Sequence, residues 1–229
     1  MISARTVSML VLVPLVGLSA CGGSSKKVDP AADLALAKRA VLTKADLPGY
    51  AGKPHTKSDD LTSTQKKDFA TCTGLPTTIF DDKPGAQNAD SLDFSKGQAS
   101  VSDSVEIDPK KSDIDDGWKQ ISRAGIAPCL QKLFEAALKA EPDFPKTVTL
   151  DTSIARFDVG VGSRSVGYAL TFTVTGPGGT VVIYLDLIFV PRDRAGLDFE
   201  FGNVGTAPAR SFETALVQKV YDRIGDNAK

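Results

Sequence analysis

Val181-Val182-Ile183-Tyr184-Leu185-Asp186-Leu187-Ile188-Phe189-Val190 is apolar on both faces except at Asp186, and most of its residues are β-branched or aromatic. Such a run is a strand in the middle of a sheet, since a strand at the margin keeps one polar face. Working outward, Gly176-Pro177-Gly178-Gly179 supplies the φ > 0 positions of a hairpin turn, and residues 166–175 are the partner strand. Residues 147–150 and 154–161 read as an earlier strand with a bend. Residues 191–196 turn the chain again into a strand over 197–204. Connections this short make successive strands antiparallel neighbours.

Helical periodicity brackets these strands. Phe212, Leu216, Val220 and Ile224 recur along one side of a closing helix over 208–224. Upstream, Ser112 and Asp115 cap a helix carrying Ile114, Trp118 and Ile121. A second begins at Pro128 with Cys129, Leu130, Leu133, Phe134, Ala137 and Leu138 on one face, until Pro142 and Pro145 break it. Before those lie two polar strands, 91–96 and 98–107, with Gly97 between them. Their weak alternation suggests the edge of the sheet. Thr62 and Gln65 form a capping box opening a helix that ends near Cys72, and Asp29-Pro30 starts a short helix with Leu34, Ala37 and Val41 on one face. No βαβ unit repeats. The pattern predicts one α+β domain over residues 30–229, an antiparallel β-sheet covered by α-helices.

Composition agrees. With 41% hydrophobic and 24% charged residues, the 229-residue chain is ordinary for a globular protein, and a formal net charge of −1 leaves no nucleic-acid footprint.

The first 30 residues carry the address. A start with one charge, Arg5, precedes the apolar run 7–16, which contains Pro14 and is too short for the roughly 20 residues of a membrane span. Leu18-Ser19-Ala20-Cys21 then resembles the bacterial lipobox at all four positions. The resemblance implies a signal peptide over residues 1–20, cleavage before Cys21, and a diacylglyceryl group on the Cys21 thiol. Two or more acyl chains, at roughly 0.8 kcal/mol per buried methylene, give durable anchoring. Residues 21–29, rich in Gly, Ser and Lys, read as a flexible tether, and Lys26 and Lys27 can meet anionic headgroups.

Lipid on Cys21 leaves Cys72 and Cys129 as the intramolecular pair. Outside the membrane a disulfide between them is permitted; two free buried thiols are the alternative. Two thiols and one histidine fall short of the usual four zinc ligands, so no metal or cofactor is expected.

One phrase adds a family likeness. Leu42-Thr43-Lys44-Ala45-Asp46-Leu47-Pro48-Gly49-Tyr50, with a lipobox before it and two spaced cysteines after it, is similar to exported actinobacterial lipoproteins that carry sensor-type or PsbP-like domains. The resemblance implies an extracytoplasmic location and an α+β fold. None of its pieces is a catalytic motif, so it transfers no site residue.

Candidates for chemistry are few. His55, the single histidine, reads as an exposed loop residue. Ser163-Arg164-Ser165-Val166-Gly167 lacks the first glycine and following helix of a nucleophile elbow. Gly160-Val161-Gly162 lacks the third glycine of a dinucleotide site and reads as a strand bend. Asp113-Ile114-Asp115-Asp116-Gly117 lacks the calcium-loop spacing. Asp186 stands out, because a carboxylate in an apolar strand must be paired, protonated or facing a cavity. Tyr184 shares its face, and Arg156 and Arg164 lie where either could pair with it, as a structural ion pair or as part of a ligand site. These readings lead to the expectation of a membrane-anchored, non-enzymatic envelope lipoprotein binding a small molecule, lipid or partner protein as a sensor or accessory module. A lipid or glycolipid carrier with an apolar cavity is the alternative. An enzyme built from carboxylates alone comes last.

Overall fold

A computed structural model describes residues 28–55, 61–80, 83–140, 144 and 147–228; the expected signal peptide, Cys21 and most of the tether lie outside them. Helix α1 (Pro30–Ala40) leads to strand β1 (Ala51–Lys53). Helix α2 (Ser63–Thr73) and a 3-10 turn (Thr77–Phe80) follow. Three strands come next: β2 (Gln87–Asp90), β3 (Asp93–Lys96) and β4 (Ala99–Ile107). Helices α3 (Lys111–Ile121) and α4 (Ile126–Ala140) separate these from β5 (Thr149–Phe157), β6 (Val166–Gly176), β7 (Gly179–Arg192) and β8 (Ala195–Val204). Helix α5 (Arg210–Ile224) closes the chain.

The eight strands form one antiparallel sheet in the order β1-β3-β4-β8-β7-β6-β5, with β2 beside β4. Strands β2 and β3 share one edge of β4. Ser91 bridges the gap between them, its N–H donating to the Asp103 carbonyl (2.8 Å) and its Oγ accepting from the Asp103 N–H (3.0 Å).

Helices cover both faces, which is why β7 is apolar on both. Ile183, Leu185, Leu187 and Phe189 point with Val166, Tyr168, Leu170 and Phe172 of β6 toward a core that includes Phe69 of α2 and Leu130, Leu133 and Phe134 of α4. On the opposite face Ile188 and Val190 join Val101, Val105, Leu197, Phe199 and Phe201 against Leu36 and Ala37 of α1 and Leu216, Val217 and Val220 of α5. A disulfide links Cys72 to Cys129 with Cα atoms 5.7 Å apart, pinning the end of α2 to α4. No helix of the described residues is long and apolar enough to cross a membrane.

Local signals placed several boundaries. The Asp29 carboxylate accepts from Ala31 and Ala32 N–H at the start of α1, and Thr62 and Gln65 make the reciprocal capping box of α2, whose Gly74 cap is left-handed. Other expectations need correction. Strand β4 is interior, paired on both sides, and its Ser104 and Glu106 are buried. Residues 149–157 form one unbroken strand. The face of α1 is set by Leu36, Ala37 and Ala40, with Leu34 only half-buried. Helix α3 has no side-chain cap, because its N-cap is Lys110, which offers no acceptor; Ser112 and Asp115 lie inside the helix, and Asp115 is held by Lys111 and Arg164.

Pro191 does not end its strand; the turn comes at Asp193-Arg194, where Asp193 is left-handed (φ 52°). Val182 accepts from Gly205 N–H across β8, so even-numbered residues of β7 bond to β8 and odd-numbered ones bond to β6. Pro191 therefore turns its missing N–H toward β6, and β6 starts only opposite Phe189.

Candidate functional site

Asp186 is 3% exposed and sits on β7 beside Phe201 of β8 and Ala169 of β6, on the face covered by α5. Its partner is neither arginine that the sequence offered. Arg156 lies opposite Tyr168, on the other face of the sheet, and Arg164 pairs with Asp115 at 2.7 Å. Arg210, at the first position of α5, donates instead: Nη1 to Asp186 Oδ2 at 2.7 Å and to Glu213 Oε2 at 2.6 Å. Tyr184 shares the Asp186 face two residues along, half-buried, opposite Thr171 and Asn203.

Arg210 is placed by stacking as well as by charge. Its guanidinium carbon lies 3.5 Å from the centroid of Phe157, at the end of β5. That ring lies across Gly167 of the next strand, where a Cβ would come within 2.1 Å of it. The glycine is what lets Phe157 lie flat under the cation.

Glu213 is 1% exposed, one turn into α5. Burial pushes its carboxyl up to about 8, and the neighbouring Asp186 adds to the rise, with Arg210 opposing. Its Oε1 has no hydrogen-bond partner among the described residues, the position where a neutral carboxyl would carry its hydrogen. Burial works against the charge of Arg210, but the two carboxyl groups outweigh it and its pKa rises.

Glu213 also explains why Phe212 points outward. The spacing of α5 suggested Phe212 in the core; the buried face is Glu213, Leu216, Val217, Val220 and Ile224, and Phe212 is 37% exposed. Its ring stacks on Tyr50 at 6.3 Å and 13° and meets Phe201 edge-on. Lys96 lies 5.8 Å over the other side of the pair, above Tyr50. Two cation–ring contacts thus stand on this face of the sheet, Arg210 over Phe157 and Lys96 over Tyr50, with Phe212 stacked on Tyr50.

A second polar cluster, missed in the sequence, closes the far end of β4. Lys83 is buried between Asp108 (2.5 Å) and Glu106 (3.4 Å), and burial together with the Asp108 charge pushes Glu106 up to about 9. The signal was present in Val105-Glu106-Ile107, a charge inside an apolar run. His55 is half-buried and paired with Asp93 at 3.3 Å, rather than exposed. Among the described residues no three His, Cys, Asp or Glu side chains converge where a metal ion could sit.

The fold is an eight-stranded antiparallel sheet with helices on both faces, a single-sheet α+β domain. No protein-family model matches the chain, and no curated protein does. Solved structures similar to it include the extracellular domain of PknH from Mycobacterium tuberculosis (10% identity, TM-score 0.34, 76% of this chain and 98% of that one). Others are PA94 of Pseudomonas aeruginosa, a protein of unknown function (16%, 0.25, 63% and 85%), and the Ran-binding protein Mog1p of Saccharomyces cerevisiae (12%, 0.22, 60% and 94%). Likeness at this level transfers no ligand and no activity.

Proposed function

We propose that the chain is a lipid-anchored, extracytoplasmic, non-enzymatic binding module, an accessory or sensor-type domain held at the membrane through Cys21. The lipobox and the similarity of the Leu42–Tyr50 phrase to exported lipoproteins with sensor-type or PsbP-like domains support the location, as does a disulfide between Cys72 and Cys129. The observation that carries the binding reading is the state of Asp186. The carboxylate most suited to chemistry is committed, with Glu213, to a buried ion pair, while Arg210, Phe212 and Tyr50 remain accessible at its rim.

Native mass spectrometry with lipid extraction, on the Cys21→Ser protein purified from its own envelope, tests this reading. A mass equal to the bare chain is expected of a module that binds proteins or soluble ligands. A stoichiometric co-purifying lipid would replace the reading with the carrier.

A further inference from the structure

We propose that the Tyr50–Phe212 ring pair, with Lys96 beside it, is the docking surface for a partner protein segment that carries an aromatic or large aliphatic side chain next to carboxylates. The proposal rests on the reading of the chain as a binding module and names its partner class.

Helix α5 inverts the usual order of burial at this point. A carboxyl enters the core and a phenyl ring leaves it, and each change works against stability. Single exposed apolar side chains are common on folded proteins. Here the exposed ring is fixed from two sides, by Tyr50 stacked on it and Phe201 edge-on, so little of its freedom remains to be lost when a partner arrives.

Tyr50 is fixed as firmly, by the phrase that the sequence singled out. Asp46 accepts from Thr43 N–H (2.8 Å) and Oγ1 (2.9 Å), and from Arg223 of α5. Tyr50 N–H then donates to the Leu47 carbonyl, and Gly49 turns the chain at φ 83° with the Lys96 ammonium against it. A Cβ at Gly49 would be strained by the backbone, which the glycine alone relieves.

Charge selects the partner. Lys96 is exposed, whereas the charge of Arg210 is taken by Asp186 and Glu213 and Asp93 is held by His55. The outward surface is therefore aromatic at its centre and cationic on the Lys96 side, complementary to an apolar anchor beside acidic residues.

Position relative to the anchor agrees. Asp33 of α1 is tied to Arg194 in the β7–β8 turn, so α1 begins at that end of the sheet. From Cys21 to Asp29 the chain spans at most about 28 Å. Phe201, beneath Phe212, lies about 20 Å along β8 from the same turn. The anchor enters at one end and the ring pair stands further up the sheet.

The test uses the mature lipidated protein in nanodiscs and three sets of synthetic peptides. One set has Phe, Trp or Leu between Asp and Glu residues; one has the same centres between Lys and Arg; one has Ser between Asp and Glu. The acid-flanked apolar set should bind about ten-fold or more tighter than the other two, and more weakly as salt rises from about 50 to 300 mM. Phe212→Ser, a surface change that leaves both cores intact, should remove that preference. Lys96→Glu should shift it toward the basic set, and Lys139→Glu, on α4, should leave it unchanged. Equal binding of all three sets, or binding that survives Phe212→Ser, would overturn the proposal. A co-purifying lipid would overturn the function proposed above while leaving this peptide selectivity as a separate result.

Discussion

Arg194 grips Asp33 at two points, Nη2 to Oδ1 at 2.8 Å and Nη1 to Oδ2 at 2.9 Å, and so ties the first helix to the turn between the last two strands. Both side chains are largely buried, and Nη1 also donates to the Asp108 carbonyl at 2.7 Å. Asp33→Ala should lower unfolding free energy by about 2–3 kcal/mol, because it strands a buried guanidinium. Urea denaturation measures it. A change within about 0.5 kcal/mol would mean that α1 is held by its apolar face alone.

Glu213→Gln separates the two protonation states of the Asp186 site. An amide mimics the neutral carboxyl and can still donate to Asp186, so melting temperature should be nearly unchanged at pH 6. Above pH 8 the parent must ionise or hold its proton unfavourably, and the variant should become the more stable of the two. Equal losses at both pH values would show that Glu213 is ionised throughout.

The whole domain should be most stable on the acid side of neutrality. Burial pushes Asp103 and Asp198 up to about 7, Glu213 to about 8 and Glu106 to about 9. These groups bind protons more tightly folded than unfolded. Their stabilising effect is complete below the ordinary carboxyl range near 4 and declines as pH rises through 7 to 9. Asp46 and Asp115, lowered despite desolvation by their hydrogen bonds to arginine and lysine or threonine partners, act oppositely and are lost in acid. Melting temperature should peak near pH 5 and fall by pH 9; a curve rising steadily to pH 8 would contradict the buried, protonated carboxyls.

Removing the disulfide with Cys72→Ser and Cys129→Ser together should cost about 2–4 kcal/mol, since the bond closes a long loop with a sequence separation of 57. Helix α2 should lose protection first in hydrogen exchange, because it packs on α4 rather than on the sheet. Simultaneous loss across the sheet would show that α2 is integral to the main core.

What the sequence disclosed was local. The β6–β7 hairpin follows from Gly176 to Gly179, and the α2 boundaries from Thr62, Gln65 and Gly74, because turn and cap chemistry acts over a few residues. Strand β4 looked like an edge because Ser102, Ser104 and Glu106 are polar, yet the cation that compensates Glu106 is Lys83, from a different part of the chain. Asp186 was legible as a buried charge; its partner was not, since Arg210 arrives with α5 and only tertiary packing brings the two together. The same packing decided between Phe212 and Glu213. Periodicity assigns a face to a helix but cannot foresee that an arginine at its first position will draw a carboxyl inward.

The anchor is the part of the account on which location and function both depend. The most direct measurement is the intact mass and N-terminal peptide of the protein extracted from its own membranes. The account predicts a chain beginning at Cys21, heavier by a diacylglyceryl group, and a Cys21→Ala form found outside the membrane fraction. An unmodified Cys21, or a chain that stays in the membrane fraction after Cys21→Ala, would contradict it.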